Sequence, residues 1–443
     1  MKLSDQQLRA MEAVESGRNV FLTGMAGTGK SAVTAAIIGR AKERVDLCAT
    51  TGIAALNLQQ QFFERTGLRV TANTIYRFAG IALGPAPGQK FEDYFFYLER
   101  NMTRARRGAF TRVAAARTVV IDEISMLPGR ILHYLDYHFR RIRQNEEPFG
   151  GVQIVTVGDF LQLPPVSKTG VYDWAFRSPV WAAACFETHY LTRIFRQNEP
   201  ALVSVLNNFR EGRVDGRTAQ VLASRIARFP DRNIPRLFTH NVQVDKWNSY
   251  QLANIEEEAE WVNVAETQGD AIEIEFLIKN LVTPTELILK KSARVMFTAN
   301  ITQGGALLAA NGECGTVLEC APDSVLVRKD TGEEVDVEPF KWQFDPQNED
   351  SSTFTQFPLR LAYALTIHKS QGLTLDRALI DIRAAREPGQ AYVALSRVRR
   401  LSGLFLKDWF KGVFVSPEAI EFYRNIKSRP NFGQIGMELG GRE

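Results

Sequence analysis

Gly24-Met25-Ala26-Gly27-Thr28-Gly29-Lys30-Ser31 decides how this chain is read. An apolar run, Val20-Phe21-Leu22, precedes it, and residues 32–40, suited to a helix, follow it. Strand, glycine-rich turn and helix in that order build a phosphate cradle. The glycines let backbone N–H groups close around a β-phosphate, and the helix N-terminus adds partial positive charge. Lys30 is placed to reach the β- and γ-phosphates of a nucleoside triphosphate, and the Ser31 hydroxyl to sit on Mg²⁺. A chance glycine-rich turn is the competing reading, and the full pattern in its strand–helix context disfavours it.

Two more strand ends carry chemistry. Val119-Val120-Ile121-Asp122-Glu123 is an apolar run ending in two carboxylates. Asp122 would hold Mg²⁺ through its water shell, and Glu123 would polarise the attacking water as general base. Alone, Asp-Glu after a strand is common; beside a phosphate loop it completes a hydrolytic site. The run Val157-Gly158-Asp159-Phe160-Leu161-Gln162-Leu163-Pro164-Pro165 offers Gln162 as a contact that reports loss of the γ-phosphate. Phosphoryl transfer also calls for positive charge at the transition state. Arg196 and Arg397 are the candidate arginine fingers, and fingers on a second domain would make hydrolysis depend on cleft closure. Thr50-Thr51-Gly52-Ile53-Ala54-Ala55 and Leu365-Thr366-Ile367-His368-Lys369-Ser370-Gln371-Gly372-Leu373-Thr374 are dense in small donors that suit phosphate oxygens. Glu256-Glu257-Glu258 follows no strand and reads as a solvated helix face.

At 443 residues the chain is too long for one core, so several domains are expected. Apolar content of 45% and charged content of 23% fit a soluble globular protein. The net charge of +4 permits a nucleic-acid partner without arguing for one. Cys48, Cys185, Cys314 and Cys320 show no CxxC spacing, which speaks against a zinc site or disulfide framework and fits a reducing compartment. No apolar run reaches membrane-spanning length, and the first residues carry neither signal-peptide nor transit character, so a cytoplasmic location is expected.

Short β-like runs at 19–23, 46–50, 118–121 and 153–157 alternate with helical stretches, the pattern of an open α/β sheet with ligand loops at the strands' carboxyl ends. A RecA-like nucleotide-binding domain over 1–190 follows. A second α/β pattern over 191–443 has strands expected at 236–239, 294–297, 359–362, 378–382 and 403–406. Between about 306 and 358 the turn signals Asn311-Gly312 and Thr331-Gly332 separate β-rich runs, as in a small inserted barrel. A shorter insert is expected in the first domain, about 57–71.

Taken together and in this order, the motifs resemble those of superfamily-one helicases, and closely the Pif family of 5′→3′ DNA helicases, from Leu3 to about Asp408. Leu3-Ser4-Asp5-Gln6-Gln7 is similar to the family's adenine-reading segment, with Gln7 as base contact. Phe195-Arg196-Gln197 and 391–397 match the segments that carry the two fingers. Between the second and third motifs, the basic stretch 135–143 followed by Pro148-Phe149-Gly150-Gly151-Val152-Gln153 resembles the family signature; read from the residues alone, its arginines form a solvated helix face. The resemblance implies an α/β fold of two RecA-like P-loop NTPase domains, with a small wedge insert in the first and an SH3-like β-barrel insert in the second. It assigns Gln7, Gly24, Ala26, Gly27, Thr28, Gly29, Lys30, Ser31 and Gly372 to ATP, and Ser31 and Asp122 to Mg²⁺. Catalysis falls to Lys30, Glu123, Gln162, Arg196 and Arg397. DNA contacts fall to Thr51, Gly52, Thr74, Phe78, His368, Lys369 and Ser370. Tyr76 stands where the family has His, and its ring is a possible base-stacking surface. The implied partners are single-stranded and forked DNA, with G-quadruplex DNA among the substrates; a monomer is the default expectation. A small-molecule phosphotransferase, a nucleotide-gated DNA-binding ATPase and a RecD-like subunit are the alternatives.

Overall fold

Along the strand β1 (Val20–Gly24), Val20 and Leu22 pack into one core and Phe21 into another. The same alternation runs through β2 (Val45–Ala49), β4 (Thr118–Asp122) and β5 (Gln153–Gly158); β3 (Ala72–Thr74), with Ala72 in the first core, and β6 (Glu187–Leu191) are the edges. Leu47, Val120, Val155 and Val157 join the first core; Cys48, Val119, Ile121 and Ile154 join the second. A period of two with both faces apolar is what a parallel sheet sandwiched between helices requires. The six strands pair in parallel in the order β3-β2-β4-β5-β1-β6. Helices α1 (Asp5–Glu15), α2 (Lys30–Arg40) and α3 (Gly52–Thr66) cover the first face through Ala10, Val14, Val33, Ile37, Ala55 and Leu58. On the other face lie α4 (Ile75–Ala79), α5 (Phe91–Arg100), α6 (Arg104–Ala115) and α7 (Gly129–Arg143), joined by a helix over Pro417–Lys427.

The computed structural model describes residues 3–41, 43–167, 169–227, 234–256, 261–303, 306–344, 350–409 and 412–428. They form two units, one drawn from the chain up to Arg196 and again from Val415 onward, the other from Gln197–Phe414. The boundary expected at residue 190, with everything beyond in the second domain, is therefore corrected at both ends. Ala419, Tyr423 and Ile426, spaced for one helix face, are buried in the first unit's core. The insert expected at 57–71 is also corrected. Residues 57–66 continue α3, whose Leu58 and Phe62 are buried, and α3 is the crossover that parallel pairing of β2 with β3 demands.

In the second unit a four-stranded parallel sheet has the order Ala364–Thr366, Arg236–Phe238, Ala378–Asp381, Leu404–Asp408. Between its first two strands in the chain lies a β-rich region wider than the expected 306–358, reaching from Trp261 to Leu361. Its largest sheet is antiparallel and runs Glu334–Val337, Val325–Lys329, Cys314–Cys320, Arg294–Phe297, Leu359–Leu361. Arg294–Phe297 and Leu359–Leu361 thus belong to the antiparallel region and not to the parallel sheet. Arg294–Phe297 is buried along its whole length, and a short continuous apolar run reads the same in either kind of sheet. The acidic run at 256–258 extends into residues outside those described, as does 345–349 within the expected barrel. No helix among the described residues is long and apolar enough to cross a membrane.

Candidate active site and nucleic-acid interface

The carboxyl ends of β4, β5 and β1 are neighbours in the sheet, so three separate loops meet on one edge. From β1 comes the glycine loop. A Cβ on Gly24 would collide with the Leu191 carbonyl of β6, so no other residue fits where the loop leaves the sheet. Gly29 has φ +81°, the left-handed region, and caps α2. Lys30 Nζ donates to the carbonyls of Gly24 (2.9 Å) and Met25 (3.0 Å), and Thr28 Oγ1 donates to Met25 O (2.9 Å). The lysine is folded over the loop that it is expected to share with phosphate. Gly27 O accepts from Phe195 N (2.8 Å); Ala26 is buried and Ser31 half-buried at the first turn of α2.

Gln7 is 2% exposed and both ends of its amide are engaged. Oε1 accepts from Ser4 N (2.9 Å), and Nε2 donates to Thr28 O (3.3 Å) and Gly29 O (3.4 Å). It therefore ties the start of α1 to the phosphate loop. Phe195, not singled out in the sequence, lies against Gly29 with its ring half open to solvent and Arg193 over its face at 5.1 Å. A partly exposed aromatic ring beside a phosphate loop can serve as a stacking surface for a base. Its adjacency to Arg196 in the chain was the available signal.

At the end of β4, Asp122 Oδ1 accepts from Glu123 N (2.8 Å). Desolvation raises the Asp122 pKa, opposed by that amide and by the charge of Lys30. Glu123 has φ +54°, strained for a residue with a side chain. Its carbonyl is fixed by Thr50 Oγ1 (3.1 Å) and Met126 N (3.0 Å). At the end of β5, Asp159 closes a turn that accepts from Leu161 N (3.2 Å) and Gln162 N (2.9 Å), which sets buried Gln162 on the same edge. One carboxylate and one hydroxyl, Asp122 and Ser31, are a donor set that fits Mg²⁺, which keeps most of its waters and takes further oxygens from substrate phosphates. No cluster of three or more His, Cys, Asp or Glu that could hold a metal by itself occurs among the described residues.

Arg196 is half-buried and is the last residue of the first unit, not a residue of the second. In the second unit Arg397 is 2% exposed. Its guanidinium donates to the carbonyls of Val393 (2.9 Å), Ser370 (3.4 Å) and Leu373 (3.3 Å) and to Ser396 Oγ (2.7 Å). Gln197, given no role of its own in the sequence reading, donates to Ser396 O (3.0 Å) and Val398 O (3.3 Å). The expected finger is thus held inward, against the loop that carries exposed Gly372.

The DNA candidates divide. Thr51 caps α3 and Thr74 caps α4, each accepting a backbone N–H at 3.2 Å, and with Gly52 they stand at the carboxyl ends of β2 and β3 on the loop edge. His368 is exposed, 3.6 Å from Glu387. The pKa of half-buried Lys369 is lowered by burial and by the neighbouring charge of Arg360, while Asp245 opposes. Arg360, half-buried and with its pKa pushed down to about 10 by desolvation, went unseen because it sits on an antiparallel strand outside the quoted motifs. Two assignments are corrected. Phe78 is 1% exposed and packs on Phe139 in the core, so its ring has no face for a base. Ser370 is fully buried, with Oγ donating to Ile367 O (2.8 Å) and N to Thr366 O (2.9 Å). Tyr76 is half-buried against the same core as Phe78, and burial pushes its pKa up to about 12.

The signature stretch is structural as well. On α7, Asp136 takes Arg140 in a fork (3.0 and 2.9 Å) and accepts from Phe149 N at 2.6 Å. Arg143 donates to the carbonyls of Gly150 (2.7 Å), Ala114 (2.6 Å) and Ala116 (3.0 Å). For Arg140 and Arg143 the expected solvated face is replaced by a clamp on the left-handed Phe149-Gly150 turn, while Arg141 is exposed as expected.

A phosphate loop, a paired carboxylate strand end and a glutamine turn on one parallel-sheet edge define a P-loop NTPase with RecA-like architecture. The profile of the PIF1-like helicases matches residues 2–211. The ATP-dependent DNA helicase Pif1 of Bdellovibrio bacteriovorus is 35% identical, over 96% of this chain and 93% of its own. The crystal structure of Bacteroides Pif1 with ADP-AlF4 aligns with a TM-score of 0.81 at 30% identity, covering 97% of this chain and 98% of its own. The Bacteroides enzyme with ADP-AlF3 and single-stranded DNA aligns with a TM-score of 0.65 at 31% identity, over 97% and 99%. The chain belongs to the PIF1-like helicase family, and it is an ATP hydrolase.

Proposed function

We propose that the chain hydrolyses ATP to move 5′→3′ along single-stranded DNA and to unwind duplexes at forks, acting as a monomer in the cytoplasm. One observation carries the reading: the phosphate loop, Asp122-Glu123 and Gln162 share a sheet edge with the DNA candidates Thr51, Gly52 and Thr74. A contact on the γ-phosphate and a contact on the strand are then parts of one rigid sheet. Lys30 leaves the Gly24 and Met25 carbonyls for the β- and γ-phosphates, and Gln7 and Phe195 take the base. Ser31 and Asp122 would hold Mg²⁺, which would supply charge neutralisation at the phosphate oxygens. Glu123, fixed in its strained backbone, orients and deprotonates the attacking water. Arg196 and Arg397 complete the transition-state field, Arg397 by exchanging its carbonyl partners for phosphate when nucleotide is bound. Thr51, Gly52, His368 and Lys369 track phosphates of the strand.

Polarity and G-quadruplex substrates rest on family resemblance, and the monomer is the default expectation. Family membership favours this reading over the phosphotransferase and RecD-like alternatives. Matched duplexes with a 5′ or a 3′ tail, ATP and Mg²⁺ test it. Only the 5′-tailed duplex is expected to open, and Lys30→Ala is expected to bind the tail without hydrolysing or unwinding. Preferential opening of the 3′-tailed duplex, or unwinding by Lys30→Ala, would refute the proposal.

A further inference from the structure

The helix Pro417–Lys427 returns to the first unit, where Glu418 pairs with Arg177 at the surface and Tyr423 carries a hydroxyl into the buried face. Ser416 caps it (Oγ accepting Ala419 N at 3.2 Å), Pro417 opens it, and Ala419, Tyr423 and Ile426 line its buried face. Phe422 stacks on Phe176 (centroids 4.3 Å, 15° between planes) and meets Phe160 edge-on at 5.4 Å. That ring supplies apolar packing. Tyr423 differs: it is 3% exposed, and its hydroxyl reaches two strand exits at once. It accepts from Phe160 N at 3.1 Å and shares a 2.6 Å hydrogen bond with Thr23 Oγ1. Thr23 is the residue before Gly24, where β1 becomes the phosphate loop. Phe160 lies between Asp159 and Gln162 in the turn after β5.

We infer that Tyr423 is a positioning residue for ATP hydrolysis, setting the Gln162 turn in register with the phosphate loop through its hydroxyl. A buried hydroxyl with two partners is directional in a way that ring packing is not, because its bonds weaken steeply off-axis. It joins the phosphate loop to the Gln162 turn, in addition to the pairing of β1 with β5 and the packing of Phe21 on Phe160. Sub-ångström placement of a γ-phosphate contact matters to the rate of hydrolysis more than to binding of the nucleotide, most of which is held by the loop itself. The inference rests on the reading of Gln162 as the γ-phosphate contact.

The test is steady-state DNA-stimulated ATPase on the full chain, with Tyr423→Phe as the principal variant. It keeps the ring and removes the oxygen. The expected result is a kcat lower by about tenfold with KM for ATP changed by no more than about twofold. Thr23→Val, which removes the same bond from the other side, is expected to match it, and Thr23→Ser to restore the rate. Phe422→Leu is the packing control: a lower melting temperature with kcat per folded molecule unchanged. Combined with Gln162→Ala, Tyr423→Phe is expected to add little, since both act through one contact. Wild-type kcat in Tyr423→Phe and Thr23→Val, an equal loss in Phe422→Leu, or full multiplicative effects in the double variant would each overturn the inference. Gln162→Ala with unchanged kcat would bring down the reading of Gln162, and this inference with it. A loss in Gln162→Ala beside an intact Tyr423→Phe would bring down this inference alone.

Discussion

Gly29 marks how tightly the nucleotide loop is specified. At φ +81° an added Cβ is strained by about 1–2 kcal/mol, and here it would also lie 2.7 Å from Gln7 Nε2. Gly29→Ala is therefore expected to weaken ATP binding by roughly tenfold or more, measured by titration with a fluorescent nucleotide, while the sheet stays folded. The residues of this loop are legible in the sequence because their spacing is fixed by phosphate geometry, independent of what surrounds them. Phe78 and Ser370 were not legible as core residues. A Phe or a Ser in a donor-rich stretch has the same identity whether it faces DNA or the interior, and only packing decides which.

The element that best shows packing overriding composition is α7. Its basic end is a clamp, and Asp136 sits at its centre with Arg140 and the Phe149 amide as partners. Asp136→Ala leaves that amide unpaired and Arg140 without its fork, and is expected to lower the unfolding free energy by about 3 kcal/mol in urea titration. The same helix carries His138, wholly buried, with Nε2–H donating to Ala79 O at 2.9 Å and Phe95 and Phe110 edge-on to its ring. Burial pulls its pKa down to about 4 from an ordinary 6.5. The unfolded chain therefore takes up this proton first. Stability is complete above about pH 6.5 and declines as pH falls towards 4, by about 3 kcal/mol in all. His189, also lowered by burial, acts in the same direction. Unfolding of wild type and His138→Gln across pH 7.5 to 4.5 isolates the His138 share, and a slope identical in the two proteins would exclude it.

For the molecule as a whole, the mild net charge gives no basic surface by itself, so the proposed DNA binding rests on local contacts, for which Thr51, Gly52, His368 and Lys369 are the candidates. Phosphate tracking of that kind predicts a steep salt response: affinity for a single-stranded oligonucleotide should drop by roughly tenfold or more between 50 and 200 mM salt. Fluorescence anisotropy measures it, and a flat response would remove the phosphate contacts from the reading.

What the sequence by itself determined is the chemistry with local rules: the phosphate loop, the carboxylates at the end of β4, the glutamine turn and the alternating strands of one parallel sheet. Each depends on residues close in the chain, where backbone geometry links spacing to position. Only the tertiary structure decided that α3 is a crossover, that Arg294–Phe297 lies in an antiparallel sheet, that Arg397 is turned inward and that Pro417–Lys427 completes the first unit. Those outcomes turn on which distant apolar face fills which core, and burial is non-directional, so no short pattern of residues records it.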